Sequence, residues 1–220
     1  MSSLFTLFLF IGEILSIYFL SRIVLQKAYG VLMKIGNKRV IVGIISMVYV
    51  PGTIIHELSH YFVALLLNMH PQEVSIFPVI EENHIRLGSV LYLKNKGDFI
   101  RPILIGIAPI FGAMATLLLI VYTGLFPGKE LWQTILFGYL ILAITANMFS
   151  SPQDLVDIIY LVPIGLIIGV LLYLFPVTIP AHYLSSINNA ITFFFQTIQP
   201  PLLFSLGFHA ILVLVLSKFH

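Results

Sequence analysis

Long stretches without a charged side chain constrain this chain more than any other feature. No Asp, Glu, Lys or Arg occurs from Ile158 to Ser217 or anywhere in residues 102–128. Charged residues make up 9% of the chain, whereas soluble domains carry roughly 25%. Hydrophobic residues make up 59% of it. So few charges cannot cover the surface of a water-soluble domain, so we expect an integral, multi-pass membrane protein.

The apolar segments predict an all-α fold with about six transmembrane helices, because each approaches the ~17–25 residues that cross a bilayer. The segments are residues 4–20 (extendable to about Tyr29), 40–68, 102–128, 131–150, 155–175 and 201–217. Residues 181–198 contain Ser, Asn and Gln, and we expect them at the interface or along a cavity. The whole chain, 1–220, is interpreted as a single membrane domain that ends in C-terminal helices at 181–217.

The distribution of basic residues predicts how the protein sits in the membrane. Residues 21–39 contain five Lys or Arg residues and no acid, which is typical of a cytoplasmic loop and compatible with a patch that binds anionic lipid. The N-terminus lacks a basic region and a cleavage site, so it is interpreted as a retained span. With the N-terminus outside, the second span ends and the fifth begins on the outer side. We expect the plasma membrane as the location.

Residues 73–93 differ in kind from the apolar segments. They are rich in β-formers on either side of Glu81-Glu82-Asn83, a turn candidate, and residues 84–93 alternate as a strand does. The sequence therefore predicts a small β-hairpin directly after the second span. An open hairpin edge can bind an extended peptide by strand addition.

The second span carries the pattern His56-Glu57-Leu58-Ser59-His60. On a helix, His residues four apart share a face, so both imidazoles can reach one metal ion. Zinc suits neutral imidazole, and the absence of Cys excludes a thiolate site. Glu57 need not ligate and is free to act as the general base. The alternative is a structural His pair beside a buried, neutral Glu.

A catalytic zinc usually has three protein ligands, so the chain should supply one more. Carboxylates near membrane depth are Glu13, Asp154 and Asp157. Glu13 is more simply explained as a neutral acid bonded to another helix. Asp154 also fits a capping role at a helix N-terminus, with Ser151 as the N-cap. Because the metal needs a further ligand, ligation is favoured over capping alone for Asp154. Asp157, one turn further, is the rival. The remaining His residues, His70, His84, His182 and His209, are interpreted as surface or structural.

These residues resemble the site-2-protease family of intramembrane zinc metalloproteases. The resemblance rests on the His-Glu-Leu-Ser-His run, the β-rich stretch, Gly106-Ile107-Ala108-Pro109, and the Asn…Pro…Asp run at 147–154. It implies a protease core at about 40–175 and one zinc ion per chain, held by His56, His60 and Asp154. It further implies Glu57 as base, Asn147 near the catalytic centre contacting substrate, and a membrane-spanning protein as substrate.

Other function classes remain open at this point. A transporter can also use intramembrane His and Glu, and an inactive relative can serve as a scaffold that binds membrane proteins. A multi-span protease with Glu as third ligand fits less well, because the only Glu after Glu82 is Glu130, between spans. We expect the lipid bilayer and a membrane-protein substrate as partners and no nucleic acid; the oligomeric state stays open.

Overall fold

A computed structural model describes residues 3–75, 79–80, 85–86, 89–93, 97–149, 154, 161–175 and 180–219. Within these ranges lie six helices: α1 (Ser3–Leu32), α2 (Lys38–Leu66), α3 (Ile100–Tyr122), α4 (Leu131–Asn147), α5 (Leu161–Leu174) and α6 (Ala181–Ser217). Four of them, α1, α2, α3 and α6, are long and apolar enough to cross a membrane. The helical architecture is therefore confirmed, whereas the number of crossings stays a prediction.

The largest differences from the predicted segments are in α1, α3 and α6. α1 continues to Leu32, so the first part of the expected loop at 21–39 is helical. This is possible because long basic side chains extend along a helix; the Arg22 guanidinium lies over the Tyr18 ring, 5.1 Å from its centroid. α3 ends at Tyr122, before residue 128. α6 passes through Pro200 and Pro201, so the two expected segments form one helix, as packed membrane helices permit.

The long helices alternate in direction. α2 and α3 are antiparallel, since Arg101 at the start of α3 bonds the Leu67 carbonyl after α2. α4 is parallel to α2, because Tyr139 donates to the Val48 carbonyl and, further along both helices, the Asn147 carbonyl accepts from His56. α6 is parallel to α1: Phe10 packs against Phe194, and Lys34 Nζ donates to the Phe219 carbonyl at the other end. α6 therefore begins at the end of the bundle where α4 stops.

This arrangement gives the bundle two distinct ends. We call the end formed by residues 33–39, 123–130 and 218–219 the basic end. We call the opposite end, formed by residues 67–75, 89–93, 97–99 and 154, the hairpin end. α5 connects two helices whose neighbouring termini both lie at the hairpin end.

The core lies between α1, α3, α4 and α6. Ile17, Leu117, Ile141 and Leu202, one from each of these helices, have no exposed surface. A chain of polar groups crosses the same region: Thr145 Oγ1 lies 2.7 Å from Ser205 Oγ, which lies 3.2 Å from His209 Nδ1. Polar groups inside a bilayer must find partners within the protein, so this chain ties α4 to α6. His209, whose predicted role is structural, is buried and bonds Ser205.

The predicted hairpin after α2 is present as two short antiparallel ladders. β1 (Glu73–Ser75) pairs with β4 (Ser89–Leu91), and β2 (Val79–Ile80) pairs with β3 (Ile85–Arg86). The expected turn at Glu81-Glu82-Asn83 and part of the expected strand at 84–93 lie outside the described residues. The Leu93 amide donates to the Met69 carbonyl at 3.1 Å, which attaches the hairpin to the end of α2.

Candidate metal centre

His56 and His60 lie on one face of α2, as their spacing predicts. Their rings meet edge to face, with centroids 4.8 Å apart, and their Nε2 atoms are 3.1 Å apart. His60 is buried and His56 is nearly so. The two imidazoles therefore direct the same nitrogen toward one shared point inside the bundle.

Each imidazole is held by a backbone carbonyl on its other nitrogen. His56 Nδ1 donates to the Asn147 carbonyl at 2.6 Å, and His60 Nδ1 donates to the Ile105 carbonyl at 2.8 Å. A carbonyl oxygen can only accept, so the proton of each neutral ring is assigned to Nδ1. Both Nε2 atoms then carry lone pairs that face each other. A shared cation removes the repulsion between them, and carbonyl-bonded Nδ1 is the usual arrangement of a metal-binding His.

The two carbonyls are available because helix geometry leaves both without an intrahelical partner. In α3, the amide four residues after Ile105 belongs to Pro109, which has no N–H. In α4, Asn147 is the last helical residue, and the carbonyls of a final turn lack donors. The sequence analysis did not single out Ile105. The signal that points to it is a proline four residues later in a helix beside the motif.

Asp154 completes the group. Its Oδ1 lies 3.6 Å from His60 Nε2 and its Oδ2 lies 3.9 Å from His56 Nε2. One ligand atom from each of His56, His60 and Asp154 lies within 4.8 Å of the others. The structure therefore brings together the three residues that the sequence analysis named as metal ligands, from positions 94 to 98 residues apart in the chain. The rival Asp157 lies outside the described residues.

Gly106 allows Asp154 to approach. A Cβ atom built on Gly106 collides with the Asp154 carbonyl oxygen, so only a residue without a side chain fits here. Gly106 follows Ile105, whose carbonyl holds His60. One turn of α3 thus sets the positions of two of the three donors. Gly106 opens the stretch Gly106-Ile107-Ala108-Pro109 that carried part of the family resemblance, and it lies in close contact with Asp154 at the site.

The donor set fits a zinc ion. Ligands about 2.0–2.1 Å from a tetrahedral zinc are roughly 3.3–3.4 Å apart, and the three separations here are 3.1, 3.6 and 3.9 Å. Two imidazoles and one carboxylate leave one position for water, as catalytic sites do. Glu57 is also buried, at 5% exposure. If both carboxyl groups are ionised, a divalent cation balances their charge inside the bundle.

Two further predicted residues flank this group. Glu57 follows His56 in α2, so its side chain leaves the helix about 100° away from the ligand, beside the metal position and not in it. Asn147 contributes its backbone carbonyl, while its side-chain Nδ2 donates to the Ala143 carbonyl at 2.8 Å. Its predicted contact with substrate stays a prediction.

Other candidates lie apart from this group or outside the described residues. His70, after α2, is exposed and has a positive φ of 46°. Glu13 is partly buried in α1, and its Oε2 has no hydrogen-bond partner among the described residues. His84 and the side chain of His182 lie outside the described part. Among the described residues, the His56, His60 and Asp154 group is the one set of three His, Cys, Asp or Glu placed to hold a metal.

Comparisons with protein-family models, curated proteins and solved structures return no significant match to this chain. The functional argument therefore rests on the residues and their geometry.

Proposed function

We propose that this chain is an intramembrane zinc metalloprotease. It binds one zinc ion through His56, His60 and Asp154 and hydrolyses a peptide bond in or near a transmembrane segment of a membrane-protein substrate. The observation that carries the proposal is the convergence of two Nε2 lone pairs and a carboxylate on one point, with Glu57 adjacent in the same helix. A structural His pair needs neither the nearby carboxylate nor hydrogen bonds from both Nδ1 atoms to backbone carbonyls.

A zinc ion at these ligands supplies an activated water molecule and a Lewis acid for the scissile carbonyl. Glu57 accepts the proton of the attacking water and returns it to the leaving amine. The Asn147 and Ile105 carbonyls keep the two imidazoles in the tautomer that presents Nε2. Asp154, anchored against Gly106, fixes the third donor.

The location of the site favours a membrane protein as substrate. His56, Glu57 and His60 lie inside α2, a helix apolar enough to cross a bilayer. Intramembrane ionisable groups are costly and tend to serve a function. A helical substrate hides its peptide bonds, so it has to unwind locally before cleavage. The adjacent hairpin offers backbone groups that can hold the unwound segment extended. We place the protein in the plasma membrane as part of this proposal.

The test is a comparison of wild-type protein with Glu57→Gln in zinc content and in proteolysis. Because Glu57 acts as base and not as ligand, the variant should retain about one zinc per chain and lose activity by 10²–10⁴-fold or more. Substrates are found by comparing membrane proteomes of cells that express each form. The matched control is Glu130→Gln, which changes an exposed Glu at the other end of the bundle.

Two results contradict the proposal. Loss of zinc in Glu57→Gln makes Glu57 a ligand or a structural residue. Unchanged proteomes, with zinc bound in both forms, favour the alternatives of a scaffold or a transporter.

A further inference from the structure

The chain turns back on itself at the end of α2, just beyond the candidate metal centre. Asn68, the residue after the C-cap, has a φ of 53°, and its amide donates to the Leu65 carbonyl at 3.1 Å. The Met69 amide donates to the Ala64 carbonyl at 2.9 Å. These two hydrogen bonds form a Schellman motif, in which the second residue after the cap contacts the last turns of the helix. The motif therefore returns the Met69 side chain to the buried surface of α2.

Met69 completes a small buried cluster beside His60. Its side chain is 2% exposed and packs with the buried residues Ala64 and Ile105. Ala64 lies four residues after His60, on the same face of α2. Ile105 belongs to α3, and its carbonyl accepts the hydrogen bond from His60 Nδ1 at 2.8 Å. Met69 therefore supports both the helical turn next to His60 and the residue that orients the His60 ring.

The β-hairpin is attached to the same residue. The Leu93 amide, shortly after β4, donates to the Met69 carbonyl at 3.1 Å. Tyr92, which precedes Leu93, packs against the cluster that contains Met69. His70 follows Met69 with a φ of 46°. Left-handed backbone at a residue other than Gly is uncommon and persists where surrounding contacts hold it. Met69 thus joins the hairpin to the face of α2 that carries His60.

We propose that Met69 is a positioning residue that couples the hairpin to His60. With the hairpin attached, Met69 packs on Ile105, whose carbonyl keeps His60 Nε2 directed at the metal position. Coupling between two sites is reciprocal, so a bound zinc ion stabilises the attachment of the hairpin in turn. A substrate strand that pairs with the hairpin then stabilises the metal centre. This inference rests on the zinc binding of the proposed function but does not require proteolysis.

The first test compares zinc affinity and thermal unfolding in Met69→Ala and in Leu202→Ala. Leu202 is the matched control, because it is also buried but belongs to the separate core between α1, α3, α4 and α6. Both variants should lose thermal stability, since truncation of a buried side chain leaves a cavity. Only Met69→Ala should also bind zinc more weakly, by about 10-fold, the lower end of the loss caused by removing an orienting partner. Met69→Leu refills the cluster and should restore most of the affinity.

The outcomes of this test separate the inference from the proposed function. Equal zinc affinity in folded Met69→Ala and in the wild-type protein overturns the inference alone. An equal loss of affinity in Leu202→Ala also overturns it, because Met69 is then no more than a packing residue. A wild-type protein that binds no zinc refutes the proposed function, and the inference with it.

The second test needs no substitution. Hydrogen exchange of the wild-type protein is measured by mass spectrometry with and without zinc. Peptides that cover residues 67–75 and 89–93 should exchange more slowly with zinc, because a fixed His60 stabilises Met69 and its hydrogen bond from Leu93. Residues 33–39, at the opposite end of the bundle, are the internal reference and should not respond. Unchanged exchange at 89–93 in a protein that has bound zinc overturns the coupling.

A single variant tests whether the coupling runs through the hydrogen bond to Met69. Leu93→Pro removes the amide that binds the Met69 carbonyl and changes an exposed side chain. The zinc-dependent protection of residues 67–75 should then decrease. Full protection of these residues in Leu93→Pro shows that the hairpin is not coupled to His60 through Met69.

Discussion

Replacement of Gly106 by Ala should displace Asp154, the proposed third ligand, without disturbing α3, the helix that carries Gly106. The added Cβ collides with the Asp154 carbonyl oxygen. Interiors are close-packed, so ordinary contact is restored only if one of the two segments moves by about 1 Å. If the Asp154 segment moves, the carboxylate leaves the His pair. If α3 moves, the Ile105 carbonyl that holds His60 moves with it.

The size of the effect on zinc affinity follows from the small range of ligand distances that a metal site tolerates. Ligand distances in metal sites vary by only about 0.2 Å, so a displacement of about 1 Å removes or misplaces one donor. Loss of an orienting partner alone typically costs 10–100-fold in metal affinity, and we expect at least that here. Ala is favoured over Gly within a helix by roughly 1 kcal/mol, so the stability of α3 itself should not fall.

The assay is competition for zinc between purified protein and a chromophoric chelator, with thermal unfolding measured in parallel. Gly43→Ala is the matched control: Gly43 lies in α2, the helix that carries His56 and His60, and a Cβ there meets nothing within 4 Å. That variant should bind zinc as the wild-type protein does. Zinc affinity of Gly106→Ala within threefold of the wild type, in a folded protein, would refute the placement of Asp154 against α3.

Three further changes test other parts of the site. Pro109→Ala gives α3 an amide that competes with His60 for the Ile105 carbonyl. Zinc affinity, measured by the same competition assay, should fall up to about 10-fold while thermal stability stays the same or rises. A loss of thermal stability together with zinc affinity would point to a packing defect instead. Asp154→Ala should lose zinc and Asp157→Ala should keep it by metal analysis, and the reverse pattern moves the third ligand by one turn. A proline scan of 85–92 should reduce cleavage at edge-facing amides with zinc content unchanged, and a scan without effect refutes strand addition.

The local features of the fold were predictable from the sequence. Charge-free segments of membrane length predict helices, because a bilayer offers no hydrogen-bond partners and a helix satisfies its own backbone groups. The spacing of His56 and His60 predicts a shared face, because residues four apart lie about one helical turn from each other. The hairpin after α2 follows from its β-formers. The boundaries of α1 and α6 were predicted less well. Arg22 introduces a charge into α1 and Pro200 removes a backbone N–H from α6, and both features suggest the end of a helix. In the packed bundle both helices continue through these residues.

The pairing of distant segments was not predictable in the same way. The sequence analysis left Asp154 and Asp157 as rivals, and only the described geometry places Asp154 beside the His pair. The role of Ile105 depends on its carbonyl, which carries no side-chain signal, and the role of Gly106 depends on which backbone lies against it. The basic end likewise depends on α6 ending beside the start of α2.

The sequence by itself thus determined which segments are helical, that they suit a membrane, and that His56 and His60 share one helix face with Glu57 next to them in the same helix. These properties depend on residues within one or two turns of each other and on transfer to an apolar solvent. The tertiary structure decided which carboxylate meets the imidazoles, which carbonyls orient them, and which charged connections share an end. Those outcomes depend on the close approach of backbones such as Gly106 and Asp154, and steric fit between segments far apart in the chain is not encoded in the local pattern of either one.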